Sequence, residues 1–448
     1  MVDLRPAAAA LAAVLVLASA GCGARETPIR IGVLSDCVGN YGPYNETVLA
    51  ATELPLLERG ARLAGRDPSD GIAGARVGGR PVELVTGCTE SGFYSTLIAE
   101  TRRLVEKERV NVVIGPIGIS DGLVLQRYAR RHPGVAFLLA YTSAQEPTLR
   151  DPAPNVFRFE PDGAQWVAGL GTYAYRTLGW RTAVTVAQDS SVSWPEVAGF
   201  VAEFCSLGGR VVDPLWTQPY VPSGFGPQLP DYAAKVPAGV DGVALFPDAY
   251  EDTAGFARGY ARRQPGLASH LVIGPRAFND PSVLRASGRV LPGVVTALNQ
   301  PFASKQAAFI RYRRDFGTYF PGLRPQPTAP ADHAIGIAYR DSMEAALEAL
   351  EHTRGDLSHG ERAFRAALAA TVLDSPNGRI RLDRNRQAIA PAYLSRVVLD
   401  RHGKPVLRTL RVVPGVEQTF GGYFSGTTPP PSAVAPTCRR APPPPWAR

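Results

Sequence analysis

Short apolar runs that alternate with helical patterns, and that begin again after a break near residue 150, constrain this chain more than any other feature. The first unit is the clearest. Ile29, Ile31, Val33 and Leu34 form an apolar run that ends in a Gly-rich turn (Gly39, Asn40, Gly42, Pro43), and a helical pattern starts at about Glu46. Such a run reads as a strand of a parallel sheet, and ligands of those sheets collect outside the carboxyl ends of the strands. The pattern continues with a strand over 81–86, a helix over 91–108, a strand over 110–114, a helix over 123–131 and a strand over 135–140. Residues 67–80 are Gly-rich and read as a surface loop. Strands and helices at these spacings predict parallel strands joined by right-handed crossovers.

After Arg150 the rhythm restarts. Residues 155–159 are extended, Asp162 is placed to cap a helix running to Leu178, and strands are expected over 182–187, 210–216, 241–246 and 271–273. Helices are expected over 194–207, with Pro195 in the first turn, and over 250–263. Residues 218–230 read as irregular. Two such units in tandem make a cleft between them. Beyond them lie helical patterns over 304–319, 330–352 and 358–370, then strand-like segments over 379–382, 393–399 and 406–413. These strands are too few for a third core, so the elements should dock on the two existing units. Residues 427–448 form a Pro-rich tail, expected to be poorly ordered except near Cys438.

A chain of 448 residues with 45% hydrophobic and 20% charged residues is globular and long enough for two domains. The net charge of +8 comes almost wholly from arginine, and clusters such as Arg311-Arg313-Arg314 sit on helix faces; no nucleic-acid module is recognisable. Arg5 precedes an apolar run over 7–20, too short to span a bilayer and of signal-peptide length. Its end, Ala18-Ser19-Ala20-Gly21-Cys22, resembles a bacterial lipobox in which Cys22 is lipidated, although Ser19 stands where leucine is preferred. Plain secretion with cleavage near Ala20 is the alternative. Either way the mature protein is exported, as a lipid-anchored protein on the outer face of the membrane or as a free periplasmic one.

Export permits disulfides. Cys37 and Cys88 follow the first two strands, whose adjacency would bring them together; Cys205 and Cys438 remain as a second pair that would staple the tail. No cysteine pair has zinc spacing and the six histidines form no i,i+4 pair, so no metal and no cofactor is expected.

Several stretches carry a resemblance: IRIGVLSDCVG at 29–39, RPVELV at 80–85, RRLVEKERVNVVIGP at 102–116, NVFRFEPDGAQWVAGLGTYAY at 155–175, LGWRTAVTVAQD at 178–189, AGFVAEFCSLGGRVV at 198–212 and VEQTFGGYF at 416–424. In this order they resemble the substrate-binding lipoproteins of ABC importers in the branched-chain amino-acid and amide group, like leucine-binding protein. The resemblance implies an α/β periplasmic-binding-protein type I fold, two doubly wound parallel-sheet lobes around an interlobe cleft. Lobe one would comprise 28–154 plus about 293–374, and lobe two 155–292 plus about 375–426. It also implies a monomer that closes on a small ligand and is read by a membrane permease.

Relatives hold a ligand carboxylate with hydroxyls and backbone N–H groups after strands three and four of lobe one. Here those positions are Gly118, Ile119 and Ser120, and Tyr141, Ser143, Ala144 and Gln145; Ile119 stands where a hydroxyl is common. The first-strand turn adds Ser35, Asp36 and Tyr41. From lobe two, Trp194 stands near the position of an aromatic cover, and Asp248 and Tyr250 lie in the next turn. Arg276 falls where amino-acid binders often place an acid for the ligand ammonium. An arginine facing the ligand would favour an anion; a surface arginine is the alternative. A sensory receptor of the same fold is a second reading. An enzyme is a third, with no Gly-x-Ser-x-Gly elbow, Walker or Rossmann fingerprint to support it.

Overall fold

The structure is a computed structural model that describes residues 27–448 except 119, 219–227, 249–250, 279–280, 302–305 and 324–329, with backbone alone for 40, 281 and 330–333. In chain order the strands of the first lobe are β1 Ile29–Asp36, β2 Arg62–Leu63, β3 Ile72–Ala73, β4 Arg76–Val77, β5 Arg80–Thr89, β6 Val112–Ile114, β7 Ala136–Leu138 and β8 Val156–Phe157. Six of them form a sheet in the order β4-β5-β1-β6-β7-β8, parallel except for the β4–β5 hairpin. Successive side chains point to opposite faces. Ile31 and Val33 therefore join one apolar layer with Val112, Ile114, Ala136 and Leu138, and Leu34, Val113 and Phe137 join the other. Helices Asn45–Glu58, Ala307–Tyr319, Pro330–His352 and Ser358–Ala370 supply the first layer, and Tyr94–Arg102 and Asp121–Ala129 the second. The late helices thus dock on the first lobe, as their lack of a core of their own requires.

The second sheet is built on β9 Thr182–Gln188, β10 Arg210–Val211, β11 Leu215–Thr217, β12 Gly242–Phe246, β13 Leu271–Ile273, β14 Val295–Leu298, β15 Val372–Ser375, β16 Gly378–Leu382, β17 Ala388–Leu399 and β18 Pro405–Val416. It carries the second lobe except at β15 and β16, whose Leu373, Ile380 and Leu382 pack in the lobe-one core. They form one sheet in the order β10-β9-β12-β13-β14-β17-β16-β15, with β11 beside β9 and β18 beside β17. The β9, β12, β13 and β14 pairings are parallel, and everything from β17 onward is antiparallel. The alternation repeats, with Ala244 and Phe246 on one face and Val243 and Leu245 on the other.

The structure departs from the sequence reading in several places. Residues 67–80 are not one loop: β2 pairs β3, β4 opens a hairpin, and Ala75 and Val77 are buried. The helix expected from Asp162 to Leu178 breaks at Gly169, whose φ of 94° leaves its N–H to the Glu203 carboxylate. The strand over 210–216 splits at Asp213, which has φ of 39°. β14 and β15 were not anticipated.

The tail differs most. Arg150 donates to the carbonyls of Thr428 (2.8 Å) and Pro429 (3.0 Å), Trp216 Nε1 donates to that of Ala433 (3.1 Å), and Trp446 enters the core of lobe two beside Phe420. There Trp446 Nε1 donates to Glu203. Burying one indole outweighs the weak order expected of a Pro-rich terminus. Both cysteine pairs are bonded, Cys37–Cys88 with Cα atoms 5.3 Å apart and Cys205–Cys438 with 5.5 Å.

Candidate functional site

The carboxyl ends of β1, β6 and β7 in lobe one face those of β9, β12 and β13 in lobe two. Among the described residues they meet at a hydrogen bond of 2.8 Å between Ser120 Oγ and Ser191 Oγ. A second approach is made at Gly163, whose N–H donates to the Ser143 carbonyl (2.9 Å). A Cβ on Gly163 would lie 2.9 Å from Ser143 Cβ and 3.0 Å from Pro195 Cβ, so only glycine fits between the lobe-one loop and the lobe-two helix.

On the lobe-one side the loop over 141–145 is deeply set. Tyr141 stacks on Trp166 with ring centroids 4.9 Å apart, and Ser143 and Gln145 are fully buried. Ser143 Oγ and Gln145 Nε2 have no hydrogen-bond partner among the described residues, while Gln145 Oε1 accepts from Arg150. The Gly118 N–H donates to the Tyr141 carbonyl (3.2 Å), tying the two strand-end loops together. Ser35 and Asp36 use their polar atoms within the lobe. Ser35 Oγ donates to Asn45 Oδ1 (2.8 Å), and Asp36 accepts from Thr89 Oγ1 (2.6 Å) and the Ser91 N–H (2.8 Å). Burial lifts the Asp36 carboxyl to about 6 against those hydrogen bonds. Its neighbour Asp121, also buried, is lifted to about 7 by burial and by the Asp36 charge.

The lobe-two side is a cluster of charges. Arg276 is 2% exposed, so it is not a surface arginine. Its Nε donates to Glu196 Oε1 (2.9 Å), Nη2 donates to Ser193 Oγ (2.7 Å), and Nη1 lies 3.3 Å from Asp248 Oδ1. Burial works against its charge, but Glu196 and Asp248 outweigh that and hold its pKa above the ordinary arginine value. Glu196 is pushed up to about 7 by burial, against the pull of Arg276. The guanidinium is thus met by two carboxylates of its own lobe. That weakens the inference from Arg276 to an anionic ligand, since a ligand anion would compete with Glu196 and Asp248. Tyr41 of lobe one is close enough to act on Arg276 electrostatically. Trp194 is half-buried, its Nε1 donating to Asp189 Oδ1 (2.9 Å). Ile119, Tyr250 and Cys22 lie outside the described residues.

Sequence reasoning missed Ser191, Ser193, Glu196 and Asp121. Glu196 carried a signal, an acid among apolar residues of a helix that buries nearly all its length. Asp121 immediately follows a predicted contact.

The description "Periplasmic binding protein" fits the family model that matches residues 28–404. The chain belongs to that family. Among solved structures it is similar to an ABC transporter substrate-binding protein from Sphaerobacter thermophilus, at 24% identity and a TM-score of 0.73 over 87% of this chain and 98% of that one. It is also similar to a solute-binding protein of an ABC transporter from R. palustris in complex with benzoate, at 22% identity, a TM-score of 0.66 and coverage of 87% and 98%. A leucine-binding protein from Thermotoga maritima MSB8 matches at 18% identity and 0.64, over 86% and 99%. No curated protein matches the chain. The fold is therefore periplasmic-binding-protein type I, leucine-binding-protein-like. Among the described residues no helix is long and apolar enough to cross a membrane, and no group of three or more His, Cys, Asp or Glu could hold a metal ion.

Proposed function

We propose that this protein is an extracytoplasmic solute-binding protein that closes its two lobes on a small polar ligand and presents the closed form to an ABC permease. The observation that carries the reading is the apposition of strand ends at Ser120 and Ser191, which sets the lobe-one loops opposite the Arg276 cluster. On this reading lobe one spans 28–154 plus about 293–374 and lobe two 155–292 plus about 375–426, with both junctions moved a few residues onward, since β8 pairs β7 of lobe one and β14 pairs β13 of lobe two. The ligand is an amino acid, an amide or a small carboxylate, with its acidic end on Ser120 and the loop over 141–145. Ser143 Oγ and Gln145 Nε2 supply polar atoms that have no hydrogen-bond partner among the described residues. The benzoate bound by one relative and the leucine named for another bracket the class. Anchoring through Cys22 and a monomeric state complete the proposal, which needs no chemistry on the ligand.

A thermal-shift screen of the mature protein tests it, with branched-chain amino acids, amides, benzoates, sugars and polyamines as separate arms. A ligand that binds only the folded state raises Tm by mass action, by about 2.7 kcal/mol of stabilisation at a hundredfold excess over Kd. A shift confined to amino acids, amides or carboxylates supports the reading. A shift with polyamines or sugars alone overturns the ligand class.

A further inference from the structure

Beneath the lobe-one loop lies a buried arginine that the site itself does not use. Arg158 follows the last residue of β8 and its side chain has no exposure. It is flanked in sequence by Phe157 and Phe159, a charge inside an apolar run. Nη1 donates to the carbonyls of Ala144 (2.6 Å) and Thr142 (3.3 Å), Nη2 donates to Thr148 Oγ1 (2.9 Å), and Nε donates to Gln387 Oε1 (2.5 Å). Asp162 Oδ2 lies 3.8 Å from the guanidinium. Two of those acceptors are backbone atoms of the proposed ligand loop. Gln387 belongs to the segment that enters β17, the strand along which the chain passes from the core of lobe one (Ala388, Ala390) to that of lobe two (Ala392, Leu394).

The network continues where the chain passes between lobes near residues 158–165 and 387–388. Arg158 and Gln387 form an isolated parallel bridge. Gln387 Nε2 donates to the Glu160 carbonyl (2.9 Å) and to Gln165 Oε1 (2.8 Å), and Gln165 Nε2 donates to the carbonyls of Ala388 (2.9 Å) and Val416 (3.0 Å). Gln418 Nε2 donates to Asp162 Oδ2 (2.6 Å) and Thr148 Oγ1 (3.0 Å). Residues 158–165, 387–388 and 416–418 thus share one water-excluded polar node. Such a node is costly if half satisfied, so its members keep or lose their geometry together.

We infer that Arg158 is a positioning residue that holds the loop over 141–145 and, through Gln387, couples it to the angle between the lobes. Gln387 is bridged to Arg158 at the end of β8, so a change in the interlobe angle is felt at its Nε2 bond to Gln165, which in turn holds Ala388 and Val416. Arg158 transmits that change to the Thr142 and Ala144 carbonyls, so the ligand loop takes its binding shape only at the closed angle. The inference rests on the solute-binding reading, because the loop matters only if it binds.

The test needs no ligand. Spin labels at Lys107→Cys and Arg262→Cys, one exposed position per lobe, report the interlobe distance distribution by double electron–electron resonance. The variants are Arg158→Lys, which keeps the charge but not the fork of donors, and Gln387→Met. Arg59→Met serves as control, since it breaks ion pairs to Glu344 and Glu351 far from the node. Losing the fork of donors in Arg158→Lys, or the side-chain hydrogen bonds of Gln387 in Gln387→Met, should change the ratio of closed to open populations by about fivefold or more in both node variants. Arg59→Met should lower Tm and leave the distances alone. If Arg158→Lys does not fold, Gln387→Met decides. Node variants that lower Tm with wild-type distances would overturn the inference. A ligand screen without a hit would count against the solute-binding reading and leave this readout untouched.

Discussion

The two edges of the cleft are organised on opposite principles. Lobe one presents backbone and small hydroxyls, and sinks its charges out of reach: Asp36 and Asp121 lie within the lobe, and Arg158 lies under the loop. Lobe two presents a charge cluster that is already closed on itself, with Arg276 held between Glu196 and Asp248. On the proposed reading a ligand would meet backbone groups and hydroxyls on one side and an electrostatic frame closed on itself on the other. Specificity by charge, on this view, depends on what remains after Arg276 has been neutralised, not on Arg276 alone.

The largest effect expected from breaking this contrast is at Arg276. Arg276→Met leaves Glu196 buried without its partner and should cost about 3–5 kcal/mol of stability in urea unfolding at pH 8. The folded Glu196 pKa lies above its unfolded value, so the folded state holds the extra proton and stability falls as pH rises through about 7. The loss should accordingly shrink at pH 5. An equal loss at both values would mean that Glu196 is not the group left stranded.

A smaller and opposite effect is expected in lobe one. Asp121 and Asp36 also have raised folded pKa values, so wild-type stability should decline between about pH 4 and 7. Asp121→Asn removes one of the two neighbouring acids. It should flatten that decline and stabilise the protein by about 1–2 kcal/mol at pH 8, as read from Tm across a pH series. A steeper decline would show that the carboxylate has a partner the folded chain needs.

The smallest effect is at the meeting point. Ser120→Ala removes the hydrogen bond to Ser191 and should shift the closing equilibrium by about 1 kcal/mol, visible as a larger radius of gyration in small-angle scattering. Unfolding stability should change by no more than about 0.5 kcal/mol. A variant with unchanged scattering would separate the serine contact from closure.

Much of this architecture is legible in the sequence because a doubly wound sheet announces itself locally. The run from Ile29 to Leu34 and the spacing of the later strands carry both the parallel sheets and the position of their carboxyl ends. β14 and β15 escaped because short strands, one paired antiparallel to β17 and the other to β16, owe their state to pairing rather than to a long apolar run. The site was legible as a set of turns, and the orientation of its side chains was not. Nothing local distinguishes a serine that bridges two lobes from one that caps its own turn, or shows that Arg276 would be met by an acid 80 positions earlier. Arg158 was no more legible, since Phe-Arg-Phe is also the pattern of a strand with one solvated face, and only the structure shows that this arginine is buried.

The two disulfides also set an order of events in time. Cys37 and Cys88 are separated by 51 positions, and Cys205 and Cys438 by 233. A chain made from its amino end can close the first while most of the second lobe has yet to emerge. The second waits for the tail, and so does Glu203, whose carboxylate meets Trp446 only then. A product that stops short of residue 438 would carry Cys205 as a thiol and an apolar notch where the indole belongs. Truncated copies would thereby be chemically marked, by one free thiol that the full chain does not carry.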